Sequence, residues 1–473
     1  MALNYDVAVL GGGIGGYTAA IRAAQLGKKV AIIEQDLLGG TCLHRGCIPS
    51  KTFLRSAEVY ATLQEREQFG IFADNISVQF DKIQQRKAGI INQLHRGVIY
   101  LMQKNKIDVI QGKGRVIGPS IFSPKSGAVA VELQDGEMET IVSTNLIIAT
   151  GSRPRTLPGI EIDGQYAMTS DEALDMKELP KSIIIVGGGV IGAEWASLLS
   201  DFGVEVTVVE MAAHLLPTED QELGSELQRL LKKRGVRVLT GATLHPESYS
   251  TENGHVHIQV TVKGSQEMLQ AEKLLLSVGR QANVHQIGLE NTDIKVDRGV
   301  IVVNEYMQTT EPHIYAIGDV IGGLQLAHAA AHEGIVAAER IAGLHPHMAE
   351  PHLVPRCIYT RPEVASVGWT EKQATEQGRQ VKVAKVSYKS IGKALVYGDN
   401  NGFVKVIADQ ETNDILGVHM IGPHVTDQIS EAVLAQILDA TPWEVGQSIH
   451  PHPTLSEIMG EAMLAIDGKA TGI

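Results

Sequence analysis

One pattern of 29 residues occurs twice in this chain, and it narrows the available folds more than any other feature. Residues 6–34 read DVAVLGGGIGGYTAAIRAAQLGKKVAIIE and residues 182–210 read SIIIVGGGVIGAEWASLLSDFGVEVTVVE, aligned without a gap at an offset of 176. Each copy is an apolar run, a glycine-rich turn, an amphipathic stretch, a Gly, and a second apolar run ending in Glu. Short apolar runs bounded by glycine predict buried parallel strands, and the longer middle stretch predicts a crossover helix. The similarity continues downstream. A hairpin around Asp135-Gly136 precedes the apolar NLIIATG, and a hairpin around Lys263-Gly264 precedes KLLLSVG. The expected fold is therefore α/β, with two Rossmann-like dinucleotide-binding domains of one design.

The first of these domains is expected to be split. Residues 300–340 have no repeat unit of their own to complete and are expected to return to it. The predicted division is 1–150 and 276–347 for the first domain, 151–275 for the second, and 348–473 for a third, α+β domain. The third contains strand-like runs such as GFVKVIAD and DILGVHMIG, and helical stretches at 426–440 and 454–466. A chain of 473 residues is too long for one core, so several domains are expected on size as well.

Each turn has the spacing that phosphate binding requires. Gly11 allows the tight turn, Gly13 lets backbone approach a pyrophosphate, and Gly16 lets helix pack on strand; Gly187, Gly189 and Gly192 repeat this. Glu34 and Glu210 close the two units, each 23 residues after the first glycine, where a carboxylate can accept a ribose hydroxyl. A lone glycine turn is a weak signal; two full copies, each with strand, helix and terminal acid, leave a purely structural reading little room. Residues 211–216 contain no Lys or Arg, and the first is Arg229. A 2′-phosphate would find no cation there, so the second unit favours NAD over NADP.

Cys42 and Cys47 lie in GGTCLHRGCIPSK, just after the first unit. Buried thiols, half of a metal site and a structural bridge are the bland alternatives. No second cysteine pair exists to complete a zinc site, so no metal is expected. Residues five apart in a regular helix have Cα atoms ~8.5 Å apart, whereas a disulfide needs less than about 7 Å. A bridge here demands a distorted helix start, for which Gly39, Gly40 and Gly46 provide freedom. A strained bridge at a helix N-terminus is easily reduced, and its thiolates are stabilised there. The redox reading is favoured.

With these segments in view, the chain resembles the FAD-dependent pyridine nucleotide-disulfide oxidoreductase family. The matching residues run from end to end: GGGIGG at 11–16, GGTCLHRGCIPSK at 39–51, IIATG at 147–151, GGGVIGAE at 187–194, YAIGD at 315–319, LAHAAAHEG at 326–334, YTRPEVASVG at 359–368 and HPHPTLSE at 450–457. The redox segment and the terminal HPTLSE are the specific signals. One departure is local: His44-Arg45 stands where the family commonly has Asn-Val, which is expected to alter the surface near the entrance and to tune access or potential.

The resemblance implies roles. Cys47 would lie beside the flavin and Cys42 would exchange with the substrate disulfide. Lys51 would sit near the reactive flavin nitrogen and pair, across the domain boundary, with Glu194, which also belongs to the NAD turn. FAD would be held by Gly11, Gly13, Gly16, Glu34, Thr41, Lys51, Gly114, Thr150, Gly151, Asp319 and Ala327. NAD would be held by Gly187, Gly189, Gly192, Glu194, Glu210 and Gly279. His452, oriented by Glu457, would be the base, reaching the partner subunit's redox pair in a homodimer joined through the third domain. Chemistry supports the base: dithiol oxidation releases two protons near neutral pH, where histidine works. The bland readings are that Thr454 and Glu457 form a capping box, and that His450 and His452 are surface residues or metal ligands.

The implied reaction is dihydrolipoamide + NAD⁺ → lipoamide + NADH + H⁺, with the lipoyl group carried by proteins of 2-oxoacid dehydrogenase complexes or the glycine cleavage system. Glutathione reduction is the alternative within the family, but it would want basic residues after Glu210. Mercuric and thioredoxin reduction would want a C-terminal cysteine pair, absent from the ending DGKATGI. A role chiefly as a peripheral binding subunit, or as a flavin oxidase, comes from other classes. A net charge of −13 argues against nucleic acid as a partner. No apolar run reaches about 18 residues, so no membrane span is expected. Three cysteines and no secretory leader suit a cytoplasmic, reducing compartment; a trimmed organellar chain would look the same.

Overall fold

The computed structural model describes residues 3–119, 125, 127–348 and 350–472. The chain divides into two compact units, both discontinuous. One comprises Met1–Ser50, Gln84–Arg155 and Arg280–Ala349; the other comprises Lys51–Ile83, Thr156–Gly279 and Glu350–Ile473. No helix among the described residues is long and apolar enough to cross a membrane.

In the first unit, five strands run parallel in the spatial order Asp108–Ile117, Val30–Glu34, Leu3–Leu10, Met138–Ile148, Ile314–Ala316. Neighbouring residues of one strand bury in opposite layers: Val7 and Val9 join one core, Ala8 and Leu10 the other. Strand side chains alternate between faces, so a strand covered on both sides reads as an unbroken apolar run. The far end of Asp108–Ile117, the strand Ala128–Leu133 and the start of Met138–Ile148 form an antiparallel meander on this sheet. Helix Ile14–Gln25 packs on helix Ala327–Ile341 through small residues, Gly15 against Ala330 and Gly334 against Gly15 and Ala19. An Arg22–Glu339 ion pair flanks the contact.

The second unit repeats this design. Its parallel sheet has the order Arg237–Thr240, Glu205–Glu210, Ser182–Val186, Lys273–Leu276, Ala167–Thr169, followed by the meander Ala242–Glu252, His255–Val262, Ser265–Ala271. Both hairpins turn where the Gly-containing dipeptides predict. The copies differ in one respect that the sequence does not signal. Met138–Ile148 is one continuous strand serving meander and parallel sheet alike, whereas its counterpart breaks at Glu272. The Glu272 carboxylate accepts the Lys181 N–H at 2.7 Å and its own N–H goes to Ser182 Oγ at 3.0 Å. The local backbone bonding leaves the ladder there.

The same unit contains an antiparallel sheet in the order Arg356–Ile358, Glu363–Gly368, Ile415–Gly422, Phe403–Asp409, Val381–Ser387. Helices Val425–Ile437 and Glu457–Ala465 pack on it, burying Val425, Ile429, Ile458 and Met459 against Val404, Val418 and Met420.

Helix contact and helix propensity make opposite demands on glycine. A Cβ at Gly334 would lie 2.6 Å from Gly15 O, whereas at Gly97, within helix Phe80–Lys104, it meets nothing within 4 Å. Gly334→Ala is expected to destabilise the protein by about 1–3 kcal/mol through overpacking, and Gly97→Ala to stabilise it by about 0.4–1 kcal/mol. Urea unfolding of the two variants checks both signs.

Candidate active site

In the first glycine turn, Gly11 has φ +111°, and a Cβ there would stand 2.3 Å from Ala149 O. A Cβ on Gly16 would fall 1.9 Å from Gly11 O, so the helix lies against the strand only because this residue is glycine. Gly13 caps helix Ile14–Gln25 without a side-chain acceptor and with no acid in the first turn. The first N–H groups of the helix therefore face outward for an anion. The second turn has the same construction: Gly187 at φ +102°, Gly192 with its Cβ position 1.9 Å from Gly187 O, and Gly189 as bare cap with nothing within 4 Å. A pyrophosphate fits both turns, which are cradles that a side chain would fill.

The two terminal acids hold their own turns. Glu34 accepts the N–H groups of Gly12 (2.7 Å) and Asp36 (2.8 Å). Glu210, buried, accepts those of Gly188 (2.5 Å) and Ala212 (2.6 Å). A carboxylate has about four lone-pair directions, so each acid keeps capacity for a ribose hydroxyl.

The redox segment is laid directly on the first turn. Gly39 N–H donates to Gly12 O at 2.8 Å, and a Cβ on Gly40 would lie 2.6 Å from Gly13 Cα. Gly39 and Gly40 both take left-handed backbone, at φ +113° and +61°. Helix Gly40–Arg45, carrying Thr41 and Cys42, stops at Gly46, and helix Cys47–Gln64 begins immediately. A Cβ on Gly46 would be 2.9 Å from Thr41 O and 3.4 Å from Cys42 Cα, so the break folds the chain back onto Cys42. Cys42 and Cys47 therefore do not share one regular helix. Both cysteines are half-buried.

His44 and Arg45 both bond the connector 35–38 that precedes the redox segment. His44 Nε2 and His95 Nδ1 both lie 2.9 Å from Leu38 O, with their rings 5.2 Å apart, and Arg45 pairs with Asp36 at 2.7 Å. Residues two apart on a helix do not share a face, which turns His44 away from Cys42 and makes it a clamp on the connector 35–38. The signal was the departure itself; the acceptor came from elsewhere in the chain. Tyr17 was missed altogether. Burial, and then the nearby Cys42 thiol, push its hydroxyl up.

Other residues that the resemblance assigns to the flavin lie in the first unit. Thr150 exchanges two 2.9 Å hydrogen bonds with Asn283, and Gly151 follows at φ +67°. Asp319, in the short turn Gly318–Ile321, is bonded by Ser152 Oγ. Arg280, unforeseen, donates to Ser152 Oγ (2.7 Å) and Ser152 O (2.9 Å). Ala327 opens helix Ala327–Ile341, whose cap Leu326 supplies no side-chain acceptor. Gly114 packs on Leu10 within its strand.

Lys51 and Glu194 meet in the second unit, with Nζ 2.8 and 2.9 Å from the two carboxylate oxygens. Tyr359 N–H donates to Glu194 at 3.0 Å, and Lys51 Nζ lies 4.7 Å from the Tyr359 ring centre. Glu194 thus spends its carboxylate on Lys51 and Tyr359. Gly279, at φ +103°, has open space around its Cβ position.

In the same unit, His452 Nδ1 is 2.8 Å from Glu457 Oε1, and Thr454 N–H donates to Glu457 Oε2 at 2.8 Å. The His452 side chain is 79% exposed, which leaves Nε2 facing outward. Burial pushes the Glu457 carboxyl up, but the Thr454 N–H, His452 and His450 outweigh it and hold the group below its usual range. Only one bond of the capping box forms, from the Thr454 N–H to Glu457. The helix begins at Glu457 with Ser456 as its cap, and Thr454 Oγ1 bonds Pro451 O instead of a helix N–H. No group of three or more His, Cys, Asp or Glu among the described residues could hold a metal ion.

Two glycine turns, a cysteine pair laid on the first, and a histidine–carboxylate pair define a dinucleotide-dependent disulfide oxidoreductase, and residues 5–334 match the pyridine nucleotide-disulphide oxidoreductase model, with 354–463 matching the dimerisation domain of the same family. The chain belongs to that family, whose members use FAD and NAD(H). It is 61% identical to a dihydrolipoyl dehydrogenase of Bacillus subtilis (strain 168) over 99% of both chains, and 42% identical to one of Zymomonas mobilis over 99% of both. The solved structure of LpdA from Mycobacterium tuberculosis matches with a TM-score of 0.90 at 27% identity, covering 98% of this chain and 100% of that one.

Removing Lys51 would strand the Glu194 carboxylate, only 6% of whose side chain is exposed. Lys51→Met is expected to cost about 3 kcal/mol, the low end for breaking a buried pair because Lys51 is partly exposed. Lys51→Met with Glu194→Gln should recover most of it. A double-mutant cycle by urea unfolding of the holoenzyme measures both.

Proposed function

We propose that the chain is the dihydrolipoyl dehydrogenase of a lipoyl-dependent multienzyme system, oxidising dihydrolipoyl groups with NAD⁺ as a homodimer with shared sites. The observation that carries the proposal is the redox segment laid on the dinucleotide turn by Gly39 and Gly40. Full-length similarity to dihydrolipoyl dehydrogenases supports the substrate.

His452 takes the proton of a substrate thiol through its outward Nε2, while Glu457 holds Nδ1 and so fixes the tautomer. The substrate thiolate attacks Cys42 of the oxidised pair. The Cys42–Cys47 bond breaks and Cys47 leaves as thiolate. The second substrate sulfur, deprotonated in turn, displaces Cys42 and closes the lipoyl ring, so two electrons now reside on the dithiol. FAD and NAD⁺, when bound, would supply the acceptors for that electron pair. Gly11, Gly13, Gly16, Glu34 and Asp319 would hold the first cofactor; Gly187, Gly189, Gly192 and Glu210 would hold the second.

Two features support sharing between subunits. His452 is exposed within its own chain. The dimerisation-domain match also carries exposed apolar side chains, Ile437, Leu438, Trp443 and Ile449 at 54%, 68%, 57% and 98%. NAD is favoured over NADP because Arg229, the first cation after Glu210, is tied to Glu226 at 2.7 Å. That feature also disfavours a glutathione reductase.

Turnover of dihydrolipoamide should favour NAD⁺ over NADP⁺ by a large factor in kcat/KM, and Glu210→Ala with Ala212→Arg should narrow it. A wild-type preference for NADP⁺ overturns the cofactor assignment. Cys42→Ser and His452→Ala should each lose lipoamide turnover, the latter by about two to four orders of magnitude. Mixing the two variants under subunit exchange should restore activity above either parent, because one of the two sites then carries neither defect. Confirmed exchange without restored activity would place His452 at its own chain's site, or remove it as the base.

A further inference from the structure

A second histidine–carboxylate pair stands two residues before the first. His450 Nε2 lies 2.8 Å from Glu431 Oε1, and its Nδ1 lies 3.1 Å from Ser448 O. Neither ring nitrogen is left over for a reacting group, in contrast to His452. Only 12% of the His450 side chain is exposed. Its ring fills the space over Gly460, where a Cβ would come within 2.8 Å of Nδ1 and 2.9 Å of Cε1.

The placement connects three elements. Glu431 belongs to helix Val425–Ile437, and Gly460 lies one turn into helix Glu457–Ala465, whose first residue orients His452. Between them, the chain from 449 to 453 has few other anchors. Ile449 is 98% exposed, His452 touches Glu457, and Thr454 Oγ1 reaches back to Pro451 O. The His450 ring is therefore the one side chain of this stretch driven into the body of the unit.

We propose that His450 and Glu431 are positioning residues for the reaction. They pin the loop that carries His452 to helix Val425–Ile437 and seat it on the helix that carries Glu457, so the imidazole is presented from a fixed base without either residue exchanging a proton with substrate. The proposal rests on the reading of His452 as the base. A group held on an otherwise exposed loop loses much of its effect when its position is not fixed, and a displacement of about 1 Å costs up to a hundred-fold in rate.

The test uses the FAD-loaded dimer and two reactions: oxidation of dihydrolipoamide by NAD⁺, and NADH-driven reduction of ferricyanide, which needs no base at the thiols. His450→Ala should lower kcat for dihydrolipoamide about ten- to a hundred-fold, and Glu431→Gln should lower it several-fold. Ferricyanide reduction should stay within two-fold of wild type in both. Added to His452→Ala, His450→Ala should cause no further loss, since it acts only through that imidazole. If His452→Ala is severely impaired while His450→Ala and Glu431→Gln are not, the positioning role is wrong and the base stands. An equal fall in both reactions, or a further fall on the His452→Ala background, shows a general structural role and overturns the proposal. Wild-type turnover in His452→Ala removes the base, and this inference with it. Should His450→Ala fail to retain FAD, Glu431→Gln decides by the same criteria.

Discussion

The contact on which the site depends is backbone against backbone. Gly12 and Gly13 of the first turn meet Gly39 and Gly40 of the redox segment, joined by a hydrogen bond from Gly39 to Gly12. A Cβ on Gly40 would stand 2.6 Å from Gly13 Cα, so no side chain can enter between them. This approach delivers Cys42 to the edge of a helix N-terminus whose amides are open. Were the two loops held a side chain apart, each would persist as a motif, but the redox segment would no longer lie against the first turn.

Glu34 and Glu210 show how one device serves two ends. Each carboxylate accepts backbone N–H groups from its own turn and from the residue two positions on. Hydrogen bonds to a charged group contribute about 1.5–3 kcal/mol, so these acids stabilise the turns whether or not a ribose is bound. The glycine spacing and the terminal acid belong to one construction, which is why they recur together at an offset of 176 residues.

Within the second unit, charge is buried where elements must be joined. Lys405, with 3% of its side chain exposed, reaches Asp220 at 3.2 Å and Glu222 and Glu371 at 2.9 Å each. Arg234 and Arg361 both pair with Asp201, at 2.6 and 2.8 Å. Such pairs stabilise little over an apolar contact of the same shape, yet losing one partner leaves a charge stranded. They specify which surfaces join more than they strengthen the joint. Lys51 and Glu194 follow the same rule.

The repeated strand–turn–helix units, the glycine positions, the two terminal acids, both hairpin turns and the need for a distorted start around Cys42 and Cys47 were legible in the residues alone. All of these are local: spacing along the chain and the absence of a Cβ settle them. Tertiary structure alone decided the partners of side chains. Leu38 O receives His44 together with His95, 57 residues beyond it. Arg280 finds Ser152 across 128 residues, and His450 finds Glu431 instead of solvent. The capping box that the sequence offered as an alternative for Thr454 and Glu457 forms only by half, because the Thr454 hydroxyl goes to Pro451. A backbone dihedral is fixed by a residue and its neighbours, whereas a side-chain hydrogen bond depends on which distant segment the packed core brings within 3 Å.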